Sequence, residues 1–120
     1  MKRTTIYGLI ITAALALASI VAIAEDKKAN VLLQAGIARE TVQGDLKGAI
    51  EIYDKAVKEA GANRGLAAQA LMRMAECYQK LGDAEARKIY EQVVKNYEDQ
   101  KEAAALARAR LAPRRRLTPA

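Results

Sequence analysis

Apolar residues recur at helical spacing along most of the chain after residue 26, and two stretches repeat one pattern. Each has a Gly-Asp turn, followed by an alanine, a tyrosine and a small apolar residue on one helix face. The first copy consists of Gly44, Asp45, Ala49, Tyr53 and Ala56, and the second of Gly82, Asp83, Ala86, Tyr90 and Val93. The repetition predicts helical hairpins and therefore a binding module.

The same spacing predicts five helices and no strands. They cover Lys27–Thr41, Leu46–Ala60, Leu66–Leu81, the stretch from Asp83 to Tyr97, and Gln100–Ala112. Asp45 and Asp83 are the expected N-caps of the second and fourth helices. Asp99 and Glu102 have the spacing of a capping box at the start of the fifth helix, with Asp99 as the N-cap.

The apolar positions predict which face of each helix is buried. In the first helix the main stripe is Val31, Leu32, Ala35, Ala38 and Val42, with Leu33 and Ile37 beside it. In the third helix the stripe is Ala67, Ala70, Leu71, Met74, Ala75, Tyr78 and Leu81. In the fifth helix the apolar candidates are Leu106, Ala109 and Leu111. Tyr53 and Tyr90 are expected between helices.

Charge adds little to this picture. The formal net charge is +6 over 120 residues, but Lys2 and Arg3 lie at one end of the chain and Arg114–Arg116 at the other. The part between them is close to neutral. Because a nucleic-acid interface needs a basic patch on the folded part, we expect no nucleic-acid partner.

The sequence offers no candidate for catalysis. It contains no histidine and one cysteine, Cys77, which lies among apolar residues and is expected to be a small buried side chain. There is no Cys/His cluster for a metal, no glycine-rich phosphate loop and no acid pair. We therefore expect a protein that is not an enzyme, with no catalytic residues, no cofactor and no metal.

The first 24 residues have the three parts of a secretory signal peptide. Lys2 and Arg3 precede a long apolar segment, and Ala22-Ile23-Ala24 supplies small residues before an acidic pair. Cleavage after Ala24 is expected, which gives a periplasmic or secreted protein. The alternative is an uncleaved helix that anchors the protein in the inner membrane, because the segment approaches the roughly 20 residues that span a bilayer.

The residues above resemble tetratricopeptide repeats. The second copy matches the family pattern well, whereas in the first copy Ile37 and Glu40 depart from it, as suits a terminal repeat. Tyr53 and Tyr90 are 37 positions apart, against a family period of about 34. This longer spacing is similar to that of periplasmic repeats in cell-envelope coordination and outer-membrane-assembly proteins.

The expected organisation is a signal peptide (1–24), an all-α solenoid of two hairpins and a capping helix (27–112), and a disordered basic tail (113–120).

The resemblance implies protein or peptide binding on the concave surface that the first helix of each hairpin lines. Carried onto this chain, the binding face is Gln69, Met72, Arg73, Glu76, Gln79 and Lys80, with Gln34 and Ala38 less secure. The alternative is that these are ordinary exposed helix residues. Two further interpretations are a membrane-tethered envelope protein and the N-terminal interaction segment of a larger multidomain architecture. Because no helix follows the fifth, its apolar residues also suggest packing against another copy, as in a homo-oligomer, or against a larger partner.

Overall fold

The computed structural model describes residues 26–113. The predicted signal peptide, its cleavage after Ala24 and the arginines of the tail lie outside the described residues. Within them the protein is all-α, with five helices and no strand. These are α1 (residues 26–41), α2 (Leu46–Ala60), α3 (Arg64–Lys80), α4 (Glu85–Asn96) and α5 (Lys101–Leu111).

Consecutive helices pack side by side as antiparallel hairpins, because turns of three or four residues join them. α3 lies against α2, α4 and α5, whereas no Cα atom of α2 comes within 8 Å of one in α4. α1 reaches α3 through Glu40, which pairs with Lys80. The array therefore has two layers, with α1, α3 and α5 in one and α2 and α4 in the other. This is the short helical solenoid that the sequence predicts.

Short polar side chains and glycines set the ends of the helices. Asp45 caps α2 as predicted, since its carboxylate accepts a hydrogen bond from the Gly48 amide at 2.9 Å. Gly44 and Gly82 have φ of 65° and 72°, which residues with a Cβ rarely adopt. α3 begins at Arg64, two residues before the predicted start, because the Asn63 side chain caps it by accepting from the Leu66 amide.

The predicted faces of α2 and α4 form much of the core. Tyr53 is fully buried and Tyr90 is 3% exposed, so both tyrosines lie between helices as expected. The core-facing positions of these two helices are Ala49, Ile50, Tyr53, Ala56, Ala60, Ala86, Ile89, Tyr90 and Val93. In α3 the predicted stripe is confirmed except at its end, where Leu81 is 42% exposed beside the turn. Cys77 is buried, as predicted.

The predicted main stripe of α1 is wrong at four of its five positions. Val31 is 60% and Val42 82% exposed, and Ala35 and Ala38 are also exposed, because these positions lie away from the packed face. The predicted flanking pair is confirmed, since Leu33 is buried and Ile37, like Leu32, packs partly against the core. The other buried positions of α1 are Ala29, Gly36 and Glu40. A Cβ at Gly36 would lie 2.5 Å from Cε1 of Tyr53, so the glycine lets the tyrosine ring approach the α1 backbone.

The predictions for α4 and α5 also need correction at specific positions. The N-cap of α4 is Ala84, although the Asp83 carboxylate still accepts a hydrogen bond from the Glu85 amide at 2.9 Å. The predicted capping box of α5 is absent, since its N-cap is Gln100 and no side chain caps it.

The buried face of α5 differs from the predicted one as well. Ala104 and Ala107 are buried, Leu106 is 43% exposed and Ala109 is exposed. Only Leu111, of the three predicted apolar residues, packs partly against the core. Alanines make this contact because short side chains let α5 approach its neighbours closely.

Candidate functional site

The layer of α1, α3 and α5 carries two depressions between α3 and α5. The larger has a volume of about 540 Å³ and lies where both helices begin; we call it the α3–α5 groove. It is lined by Gly65, Gln69, Met72, Gln100, Lys101, Glu102, Ala103 and Leu106. Apolar atoms of Met72, Ala103 and Leu106 therefore stand beside the amide groups of two glutamines.

The second depression lies further along the same two helices and has a volume of about 380 Å³. Glu76, Gln79, Lys80 and Arg110 line it, so each of its lining side chains carries a polar or charged group. Arg110 of α5 pairs with Glu76 of α3 at 3.8 Å. The surface between the two helices thus changes from partly apolar at one end to charged at the other.

The structure brings the six predicted partner-binding residues onto or beside this surface, with unequal exposure. Gln69 is exposed and Met72 is only 6% exposed, so Met72 offers little area to a partner. Gln79 and Lys80 are exposed beside the second depression, whose wall also includes Glu76.

Four of the six residues have partners within the chain, since Glu76 pairs with Arg110 and Lys80 pairs with Glu40. Arg73 is half-buried and faces α1, and the Gln79 side chain accepts a hydrogen bond from the Tyr90 hydroxyl at 3.0 Å. The less secure candidates Gln34 and Ala38 lie on α1, away from both depressions, and are exposed.

A buried carboxylate joins α1 to the two following helices. The Glu40 side chain is 3% exposed. Its Oε1 accepts a hydrogen bond from Nζ of Lys80 at 3.1 Å, and its Oε2 accepts one from the Tyr53 hydroxyl at 2.5 Å. Arg73 Nη1 lies 3.7 Å from Oε2. We call Glu40, Tyr53, Arg73 and Lys80 the Glu40 cluster.

The Glu40 cluster shifts the pKa of its members in opposite directions. Burial pushes the pKa of Glu40 up, but the hydrogen bonds from Tyr53 and Lys80 and the charges of Lys80 and Arg73 outweigh it, so this pKa is lowered. Burial raises the pKa of Tyr53, and the bond to Glu40 raises it further. Burial and the nearby Glu40 charge raise the pKa of Cys77 to about 11, which leaves its thiol protonated at neutral pH.

A second ion pair fixes the start of α3 against the turn between α4 and α5. The Arg64 guanidinium donates to both carboxylate oxygens of Asp99, at 2.9 and 2.6 Å, and also to the carbonyl of Asn96. It lies 4.8 Å from the centroid of the Tyr97 ring. The hydrogen bond from Arg64 lowers the pKa of Asp99 strongly. Asp99 thus serves this contact rather than the predicted cap.

Sequence reasoning missed the α5 side of the surface and the Glu40 cluster. Gln100, Lys101 and Arg110 line the depressions. They are polar residues outside any apolar stripe, so the hydrophobic pattern does not identify them. Glu40 did carry a signal, because it departs from the repeat pattern at a position that the other copy fills with Tyr78. A glutamate at a predicted packing position can indicate a buried ion pair.

The part of the chain between residues 26 and 113 holds no group of three or more His, Cys, Asp or Glu side chains placed to bind a metal ion. It also contains no helix whose length and apolar character would suffice to cross a membrane.

Comparison with known proteins places the second copy in a recognised repeat. The tetratricopeptide repeat profile matches residues 69–99, which include most of α3, all of α4 and the turn before α5. No curated protein and no solved structure matches the chain. The profile match supports a tetratricopeptide-repeat protein and indicates a protein–protein interaction module, since such repeats typically serve as scaffolds without catalysis.

Proposed function

We propose that this chain is an exported, non-catalytic adaptor that binds a peptide or protein segment on its α1/α3/α5 surface. The observation that carries the proposal is the α3–α5 groove, which lies on the face that the repeat resemblance assigns to partners. Its volume suits a side chain or two of an extended segment. Gln69 and Gln100 offer amides to a peptide backbone, and Ala103 and Leu106 offer apolar surface to a side chain.

Site-specific crosslinking tests the location of the partner. A photoreactive amino acid at Gln69, in the groove, should crosslink a discrete partner in envelope extract. The matched control is the same group at Glu91, which is exposed on α4 in the opposite layer. Crosslinking from position 91 but not from position 69 would place the partner on the wrong layer and overturn this part of the proposal.

Groove variants test whether the contact contributes to affinity. Gln69→Arg with Leu106→Glu changes two exposed positions of the groove and should reduce capture of the crosslinked partner at least tenfold. Val31→Glu, at a position 60% exposed on α1, serves as the control and should leave capture unchanged. Equal capture by both variants would count against the groove.

Export to the periplasm or the medium is the second part of the proposal, and the leader sequence supports it. N-terminal sequencing of the protein recovered from the periplasmic fraction should give Glu25 as the first residue. An intact Met1 end, with recovery only in detergent, would favour the alternative of a membrane-tethered envelope protein. Attachment to a longer multidomain architecture would instead appear as a product larger than 13.0 kDa.

Self-association is a further candidate, because exposed apolar residues remain at both ends of the array. Leu106 is 43% exposed on α5, and Val31 and Val42 are exposed on the outer side of α1. Light scattering on the protein that the cell produces from the full chain should then show a mass that rises with concentration. A constant monomer mass would exclude a homo-oligomer in that range.

A further inference from the structure

Three donors from two helices converge on one carboxylate from a third helix. The donors are the Tyr53 hydroxyl of α2 and the cationic groups of Arg73 and Lys80 of α3. The carboxylate is that of Glu40, which reaches them from α1. Both of its oxygens are engaged, Oε1 by Lys80 at 3.1 Å and Oε2 by Tyr53 at 2.5 Å. The arrangement therefore has the form of a receptor with a bound anion.

The exposure of these groups shows how the anion is held. The Glu40 side chain is 3% exposed, whereas Arg73 is 35% and Lys80 57% exposed. The carboxylate lies beneath two cations that still reach solvent on the α1/α3/α5 surface. Two positive charges face one negative charge, so the loss of the Glu40 side chain would leave a cavity with two cations and a hydroxyl donor.

We propose that Tyr53, Arg73 and Lys80 form a carboxylate-binding site and that Glu40 of the same chain is its resident ligand. The site accepts a small monocarboxylate such as acetate when the Glu40 side chain is absent. Because its donors lie on α2 and α3 and its ligand on α1, the filled site attaches α1 to the rest of the array.

One consequence rests on the proposed function. While Glu40 occupies the site, the cations of Arg73 and Lys80 are engaged within the chain and bind a partner's acidic groups weakly. A partner is therefore selected mainly through the α3–α5 groove, and the α1 end of the surface does not favour acidic segments.

Chemical rescue of Glu40→Ala tests the site without any partner. At pH 7, sodium acetate should raise the thermal unfolding midpoint of this variant by several degrees with a saturable dependence, compared with sodium chloride at equal ionic strength. The wild type should not respond. Glu91→Ala removes an exposed glutamate that pairs with Arg87, and it should not respond either. Glu40→Ala combined with Lys80→Ala should lose most of the response.

The thiol of Cys77 gives a local measurement beside the same site. It is fully buried, and its pKa is raised by that burial and by the nearby Glu40 charge. In Glu40→Ala, well below the unfolding midpoint, thiol labelling should be faster than in the wild type because the cavity opens access and the nearby cations favour the thiolate. Acetate should slow the labelling again, and chloride should not.

An unchanged midpoint together with a labelling rate that is insensitive to acetate would overturn the proposal. If Glu40→Ala is unfolded in chloride, the same titration is followed by helical circular dichroism, and acetate should restore the signal. No recovery at the highest acetate concentration that leaves the wild type unchanged would also overturn it. Since these measurements use only acetate, their failure is distinguishable from the absence of a partner in the groove.

Discussion

At the residue scale, the feature that most distinguishes the two copies of the repeat is the partner of the tyrosine hydroxyl. Tyr53 donates to Glu40, a buried carboxylate, whereas Tyr90 donates to Gln79, an exposed neutral side chain. A hydrogen bond to a charged and buried acceptor contributes more than one to a neutral acceptor near water. The two tyrosines thus occupy equivalent positions, but removal of their hydroxyls should lower the free energy of unfolding by different amounts.

Removing each hydroxyl in turn tests this difference. Tyr53→Phe should lower the free energy of unfolding by about 1.5–3 kcal/mol, because it leaves the buried Glu40 with one hydrogen bond fewer. Tyr90→Phe should lower it by about 0.5–1.5 kcal/mol. Urea unfolding followed by circular dichroism gives both values. A larger loss for Tyr90→Phe would contradict the importance assigned to the Glu40 cluster.

The lowered pKa of Glu40 predicts how stability depends on pH. Its pKa in the folded protein lies below the ordinary value of 4.5, so the unfolded chain takes up the proton more readily. The stabilisation from Glu40 is therefore fully present above about pH 4.5 and is lost as the pH falls through the lower, folded pKa. Glu40→Gln should be less stable than the wild type by about 1–3 kcal/mol at pH 7.

The difference between the wild type and Glu40→Gln should shrink as the pH falls below 4.5. Unfolding midpoints at a series of pH values, at constant ionic strength, measure this. Glu91→Gln, at a solvent-exposed ion pair on α4, should show almost no difference from the wild type at any pH. A pH-independent deficit in Glu40→Gln would mean that its effect is one of packing rather than charge.

The close packing of the Tyr53 ring against the α1 backbone at Gly36 predicts that a larger side chain there destabilises the protein. Gly36→Ala places a Cβ 2.5 Å from the Tyr53 ring, so the ring or the α1 backbone must move. We expect a loss of about 1–3 kcal/mol from overpacking, even though alanine favours helix over glycine by up to about 1 kcal/mol. Gly65→Ala is the matched control, since its Cβ would meet only side-chain ends, those of Gln100 at 3.3 Å and Asn63 at 3.7 Å. An unchanged free energy of unfolding in Gly36→Ala would show that α1 shifts to accommodate the added methyl group.

At the scale of the elements, the sequence predicts a helix correctly when the residues that fix its ends and its buried face lie within or next to that helix. α2 and α4 were predicted well because their apolar faces and the Asp45 cap are set by residues within the same helix. In α1, most of the predicted main stripe is exposed instead. Glu40 can be buried only because Tyr53, Arg73 and Lys80 meet it, and these follow it by 13, 33 and 40 positions.

The start of α5 gives a second example of a distant determinant. Asp99 has the spacing of an N-cap, but Arg64, 35 positions earlier, binds its carboxylate. A pattern within one helix cannot reveal such a competitor. The same reasoning applies to the candidate site, where the α3 residues follow from the repeat but the α5 residues that complete the groove do not. Binding at the six predicted α3 residues stays a prediction.

The pair of Arg64 and Asp99 predicts a local effect on the connection between α4 and α5. Arg64→Ala should speed hydrogen exchange at the amides of residues 97–101, because the guanidinium no longer holds Asp99 and the Asn96 carbonyl. Amides in the middle of α4 should change much less. Arg87→Ala, which removes an ion pair within α4, is the control and should not affect the turn. Equal exchange in both variants would mean that packing alone fixes this connection.

At the scale of the whole molecule, the helices differ in how many neighbours support them. α3 contacts α2, α4 and α5 and also binds α1 through the Glu40 cluster, whereas α1 and α5 lie at the two ends of the array. In stacked helical arrays each element is stabilised mainly by its immediate neighbours. The protein should therefore lose its end helices before its centre.

Native-state hydrogen exchange measures this order directly. Amides of α3 should exchange slowest, and those of α1 and α5 should exchange faster through local opening. Glu40→Gln should speed exchange in α1 more than in α5, since it weakens the attachment of α1 only. Uniform exchange across all five helices would show that the array unfolds as a single cooperative unit.

The outer face of α5 has a consequence for anyone who wishes to lengthen the protein by adding repeats. Counted from the first residue of each helix, Arg108 of α5 occupies the place that Leu71 holds in α3. Leu71 is 2% exposed and packs in the core, whereas Arg108 is exposed, as are Ala105 and Ala112 near it. A sixth helix grafted after Pro113 would bury little apolar surface on this side of α5, because the exposed Leu106 lies on the side that lines the α3–α5 groove. A longer engineered version needs large apolar side chains at these three positions first.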